Sequence, residues 1–144
     1  LSCVLVVAAA VVTLRAQAAP TISVLRDPGC GCCLNWVAHL EKAGFKVTVA
    51  ESPDMAGVKD SRGVPKNARS CHTGVVAGYV IEGHVPAADV KRLLERKPAR
   101  VVGLTIPGMP QSAPGMDLKP FQPYTVLAFD ADGATTVFAR HDQA

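Results

Sequence analysis

Four cysteines carry most of the chemistry open to this chain: Cys30, Cys32 and Cys33 fall within four consecutive residues, and Cys71 follows 38 residues after Cys33. Thiolates are nucleophiles, redox groups and soft metal ligands, so structural disulfides, disulfide exchange and metal binding compete as uses for them. A structural disulfide stabilises by closing a long loop of the unfolded chain. Three sulfurs crowded into less than one helical turn close almost nothing, and the spacing argues against a pair of structural staples. Cys30 and Cys33 do stand at C-x-x-C spacing and share one face of a first helical turn. A helix N-terminus favours negative charge, so it is expected to lower thiol pKa there.

Donor type narrows the metal. A mononuclear zinc site usually draws thiolates from two separated pairs, and adjacent Cys32 and Cys33 are poorly placed to chelate one tetrahedral ion. Soft thiolates with imidazole and thioether nearby favour Cu(I). Adjacent sulfurs that cannot point at one ion can each bridge two, which implies a multinuclear copper cluster. His72 is either a ligand or partner of a ligand, or a hydrogen-bonding group that shapes its loop. His84, in Gly-His-Val-Pro, is either a metal ligand or a structural polar contact. Met109 and Met116 lie in a Pro/Gly-rich loop and off any helical stripe, so a copper contact competes with the core role usual for Met. His39 reads as a solvated or core-edge residue, and His141 as surface. Trp36 is expected to pack its helix on the sheet or to shield the sulfurs. Asp27 is expected to cap or orient the motif turn, and the basic side chains of Lys91, Arg92, Arg96 and Lys97 to form a solvated helix face.

The elements that must position these residues are legible in outline. Thr21 to Arg26 is a β-branched run, Asp27-Pro28-Gly29 a turn, and Cys33 to Ala43 a helical period stopped at Gly44. Phe45 to Val49 reads as a second strand, and Met55 to Asp60 as a short helix. Val75 to Ile81 is expected to pair with His84-Val85 in a hairpin turned at Glu82-Gly83. Pro86 to Lys97 is an amphipathic helix. A Pro/Gly/Met loop then leads to a hairpin, Tyr124 to Phe129 and Thr135 to Ala139, turned at Asp132-Gly133. Strand, C-x-x-C opening a helix, then strand points to an α/β, thioredoxin-like sheet with flanking helices and a C-terminal loop plus β-hairpin extension. Such a fold sets a cis-proline opposite the motif for disulfide exchange. Here Ser70-Cys71-His72-Thr73 is expected to face it, with Cys and His in place of that proline.

Composition bounds the rest. With 144 residues, 49% of them hydrophobic and 19% charged, the chain can fill one core and is short for two. Its 15 basic and 12 acidic residues are scattered, with no basic run to track a phosphate backbone, so nucleic acid is not expected as a partner. Residues 1–18 read as a signal peptide: an apolar run to Leu14, too short to span a bilayer, then Ala16-Gln17-Ala18 as a cleavage pattern. Cys3 falls in that discarded segment. Residues 19–144 are then one exported domain with no stable membrane insertion.

Three stretches together resemble a known family. Asp27 to Trp36 (DPGCGCCLNW), Ser70 to Pro86 (SCHTGVVAGYVIEGHVP) and Gly103 to Met116 (GLTIPGMPQSAPGM) resemble the CopG-type periplasmic copper-resistance proteins, long catalogued as a domain of unknown function. The resemblance spans nearly all of the mature chain, and Ala113 stands where the family often has Gly. It implies a thioredoxin-like fold, a periplasmic location and a copper cluster bridged by Cys30, Cys32, Cys33 and Cys71. It also implies a role in copper tolerance that includes interconversion of Cu(I) and Cu(II), with other periplasmic copper-handling proteins as partners. Thiol-disulfide oxidoreductase of the thioredoxin class is the alternative.

Overall fold

A computed structural model describes residues 18–143; the apolar N-terminal segment and Cys3 lie outside the described residues. Among these residues seven strands form one sheet in the order β2-β1-β3-β4-β5-β6-β7. The strands are β1 (Thr21–Arg26), β2 (Lys46–Glu51), β3 (Thr73–Val76), β4 (Tyr79–Glu82), β5 (Gly103–Thr105), β6 (Tyr124–Phe129) and β7 (Thr135–His141). Helix α1 (Gly31–Lys42) connects the parallel pair β1 and β2, α2 (Met55–Ser61) follows β2, and α3 (Ala87–Arg96) connects the parallel pair β4 and β5. Strand β3 runs antiparallel to both β1 and β4. The architecture is the expected α/β sheet with flanking helices, and its first four strands are consistent with a thioredoxin-like arrangement. The extension is larger than expected, because the short strand β5 joins the sheet ahead of the C-terminal hairpin.

Side-chain alternation along β1, β3 and β4 sets the layers. Ile22, Val24 and Ile81 point to the face where Trp36, Val37 and Leu40 of α1 and Val90 and Leu93 of α3 complete the main core. Thr73 and Glu82, paired across β3 and β4, point the other way and meet buried Lys59 of α2. Helices therefore cover both faces of the central strands.

The first hairpin corrects the expected one. Its turn is at Ala77-Gly78, both with positive φ (48° and 84°), and not at Glu82-Gly83. A two-residue turn with positive φ at both central positions matches the right-handed twist of its strands, and only the Gly is free of steric cost there. The run from Val75 to Ile81 hid it, because Ala77 is not a residue that marks such a turn. The placement has a direct consequence for the cysteines. Carrying the Thr73↔Glu82 pairing two residues outward sets Cys71 opposite His84, just beyond the open end of the hairpin. Helix α1 also begins earlier than its apolar period suggested, with Cys30 as N-cap and Cys32 and Cys33 in the first turn.

Candidate metal centre

The centre lies where the start of α1 meets the open end of the β3–β4 hairpin. Asp27 orients the approach: its Oδ1 accepts from Gly29 N–H at 2.7 Å, and its carbonyl accepts from Cys30 N–H at 3.0 Å. Arg26, which sequence reading passed over, donates from one guanidinium nitrogen to the carbonyls of Asp27, Pro28 and Cys30 at 3.1 to 3.2 Å. Buried Trp36 donates Nε1–H to the Val85 carbonyl at 2.8 Å, and its ring lies 4.3 Å from that of His72. It thus both pins α1 to the segment after β4 and walls off the site, the two roles expected of it.

Cys30 and Cys33 are joined by a disulfide, while Cys32 and Cys71 are free. The pair that closes is the one at C-x-x-C spacing, and the sequence leaves open whether that disulfide or a metal cluster prevails. The bond closes only the first turn of α1, so the argument against a long-loop staple stands, but these two sulfurs are oxidised in this state. Cys32 Sγ lies 3.6 Å from Cys30 Sγ. Cys71 Sγ lies 3.2 Å from both His72 Nδ1 and His84 Nε2, and His72 Nδ1 is 3.3 Å from Cys33 Sγ. The segment Ser70 to Thr73 does face the motif, as expected of a thioredoxin-like fold.

Two donor groups result, each with ligand atoms within 4.8 Å of one another: Cys30, Cys32, Cys33 and Cys71, and Cys71, His72 and His84. Cys71 belongs to both. The histidines suit a soft metal. His84 donates Nδ1–H to the Pro114 carbonyl at 2.7 Å, which leaves the Nε2 lone pair aimed at Cys71. His72 is fully buried, and its Nε2 has no hydrogen-bond partner.

The lowered thiol pKa expected at the helix N-terminus concerns Cys30 and Cys33, which are joined here; Cys71, on the facing loop, behaves otherwise. Burial, together with the facing Cys32, pushes the Cys71 thiol up to about 11, so it is protonated near neutrality and must lose that proton to bind metal. Burial likewise holds His72 down to about 3, with His84 and Lys59 adding to the effect, and lowers His84. The unfolded chain takes up a proton at His72 below its ordinary value of 6.5 while the folded chain does not, so stability is lost as pH falls from there toward 3. Between pH 7 and pH 5 His72 alone should cost the metal-free protein about 2 kcal/mol of unfolding free energy. Urea midpoints at the two pH values test this, with His72→Gln expected to flatten the dependence. An unchanged wild-type midpoint would exclude a buried neutral His72.

The Pro/Gly/Met loop borders the centre on two sides. Gly108 N–H donates to the Arg69 carbonyl at 3.1 Å, and Ser70 Oγ–H to the Gly108 carbonyl, next to Cys71. At its far end the Gly115 carbonyl accepts from Asn35 of α1 at 3.2 Å. A Cβ on Gly115 would meet Trp36 N at 2.7 Å, so only glycine lets the loop lie against α1. Met109 follows Gly108 and is 47% exposed; Met116 follows Gly115 and is half-buried. Two histidines lie elsewhere. His39 accepts from Ala87 N–H at 3.0 Å at the core edge, and burial lowers its pKa. His141, expected on the surface, is half-buried at the end of β7, 2.7 Å from Asp89 and stacked on Tyr124.

Beneath Cys71 runs a network that sequence reading missed. Buried Lys59 donates to Glu82 Oε1 at 2.7 Å and to Thr73 Oγ1 at 3.0 Å, Thr73 donates to Glu82 Oε2 at 2.7 Å, and Ser70 N–H donates to Glu82 Oε1 at 2.7 Å. The signal was present as a Glu at the inner end of a strand otherwise reading Tyr-Val-Ile. Its partner on α2 is not adjacent in sequence.

Comparison with known proteins agrees with this architecture. No curated protein matches the chain. Residues 68–116, which include Cys71, His72, His84, Met109 and Met116, match a family model described as a protein of unknown function, DUF411. Two solved structures, titled copper resistance protein CopG forms 1 and 2, each align with a TM-score of 0.80 at 45% identity, covering 85% of this chain and 98% of theirs. Identity and coverage at that level place the chain in a family on sequence and fold together, and it belongs to the CopG family of copper resistance proteins.

Proposed function

We propose that this chain is an exported, periplasmic copper-binding protein of copper tolerance that holds more than one copper ion between its cysteines and interconverts Cu(I) and Cu(II). The observation that carries the reading is the pair of donor groups sharing Cys71: four sulfurs on one side, one sulfur and two imidazoles on the other. Soft sulfur and borderline nitrogen in one partly buried cluster match copper in either oxidation state better than they match the harder divalent ions. With Cys30 and Cys33 reduced, Cys30, Cys32, Cys33 and Cys71 bridge the ions, and His72 and His84 supply nitrogen. Met109 and Met116 supply thioether at the rim, on the loop through which ions are handed over by other periplasmic copper-handling proteins. The working unit is the single domain 19–144 after removal of residues 1–18. Among the described residues no helix is long and apolar enough to cross a membrane.

Anaerobic titration of the fully reduced protein with Cu(I), followed by metal analysis, should give several ions per chain. One ion or none would remove the cluster. Cys32→Ser should lower the number bound. A second reading, thiol-disulfide exchange, is favoured by the Cys30–Cys33 disulfide at a helix N-terminus. It predicts that Cys32→Ser leaves insulin reduction intact while copper binding is negligible.

A further inference from the structure

We propose that Cys30 and Cys33 are a built-in two-electron reductant for copper, and that Cys71, His72 and His84 are a holding site that keeps metal when those two sulfurs are spent. The inference rests on the copper-binding reading and adds the source of the electrons and the place where the reduced ion stays.

The two donor groups differ in one respect that redox state controls. The four-sulfur group loses two of its ligands when Cys30 and Cys33 join, because a disulfide sulfur is not a thiolate. The second group loses none. With the disulfide formed, Cys71 Sγ still stands 3.2 Å from both imidazole nitrogens, and the proton on His84 Nδ1 stays committed to Pro114, so Nε2 remains a free donor. Cys32 also keeps its thiol. The hairpin places Cys71 opposite His84 independently of α1, so closing a bond inside the first turn of α1 leaves that donor pair in position.

The chemistry balances without any other reagent than cupric ion. Two Cu(II) bound at the reduced site each accept one electron. The Cys30 and Cys33 thiols lose two electrons and two protons, the protons pass to solvent, and one S–S bond forms. The soft donors left behind stabilise the Cu(I) product. Cys30 and Cys33 are suited to be the pair that closes. Their Cα atoms are 5.5 Å apart, within the span a disulfide needs, whereas Cys32 adjoins Cys33 in sequence and Cys71 is engaged by two imidazoles. Reopening the bond for another round takes an external dithiol.

The test uses the whole mature protein, reduced and held without oxygen. Adding about two equivalents of Cu(II) per chain should abolish the cupric spin-resonance signal and consume two of the four thiols. Copper should stay with the protein through gel filtration. Alkylation and peptide mapping should then find Cys32 and Cys71 labelled and Cys30 linked to Cys33. Persistence of the cupric signal with four intact thiols, a crosslink to Cys32 or Cys71, or loss of all copper on filtration would each overturn the proposal. Protein already carrying the disulfide should bind Cu(I) in smaller number than the reduced form, and no binding at all would also overturn it. Cys30→Ser/Cys33→Ser should hold Cu(II) without reducing it, and reduction by this variant would show that the electrons come from elsewhere. Cu(I) given to reduced wild type separates the two readings. Binding there with failure of the cupric arm leaves copper binding standing alone, and absence of binding there removes both.

Discussion

Cys71→Ser should remove nearly all copper from the protein, a loss larger than that of any other single ligand substitution. Cys71 is the one residue common to both donor groups, so its replacement breaks the four-sulfur set and the sulfur–imidazole set together. Serine keeps the size but offers a hard oxygen of very high pKa, which soft copper disfavours. Apparent affinity should fall by more than about 100-fold, beyond the roughly 10–100-fold typical when only a partner of a ligand is lost. Competition against a chromophoric Cu(I) chelator measures it. Replacing Cys32 or His84 spares one of the two sets and should cost less. Equal losses for all three would mean that the sets are not separate. The Cys71 thiol, pushed up to about 11 by burial, also gives binding a proton cost: Cu(I) loading of wild type near pH 7 should release a proton that Cys71→Ser does not.

Glu82→Gln should be the most destabilising substitution near the centre. Lys59 and Glu82 are both buried, and Glu82 accepts from Lys59, Thr73 and the Ser70 backbone at once. Removing one member of a buried ion pair leaves the other charge uncompensated at a cost of about 3–5 kcal/mol, far above the value of a surface pair. The double variant Lys59→Met/Glu82→Leu should recover much of that, because paired apolar replacement leaves no orphan charge. Urea denaturation of the three proteins decides it, and additive losses would show that the pair is not coupled. Copper binding adds a second readout. Without Glu82 the Ser70 N–H loses its acceptor, and Cys71, one residue on, should bind Cu(I) more weakly even where the double variant has regained stability.

Much of the fold was open to reading because local rules acted alone. The β-branched run at β1, the helical period after Cys33, the Pro86 start of α3 and the Asp132-Gly133 turn each depend on neighbours in sequence. The β3–β4 turn failed on the same ground. Positive φ at Ala77 is a cost that alanine accepts only because the flanking strands pair well, and no local pattern reports that pairing. His141 failed similarly: its ring is covered by Tyr124 and held by Asp89, 52 residues away in sequence.

The sequence by itself determined which soft donors the chain can offer, through the types and crowding of Cys30, Cys32 and Cys33 and the Cys-His pair at 71–72, because the softness of a side chain is its own property. It determined the α/β order as well, and through the three motifs it pointed to the family. Only the tertiary structure decided how those donors divide. The hairpin register set Cys71 against His84, the packing of α1 brought Cys33 to His72, and burial raised one thiol pKa while depressing two imidazoles. Distance, register and desolvation arise between segments far apart along the chain, so no reading of single segments contains them.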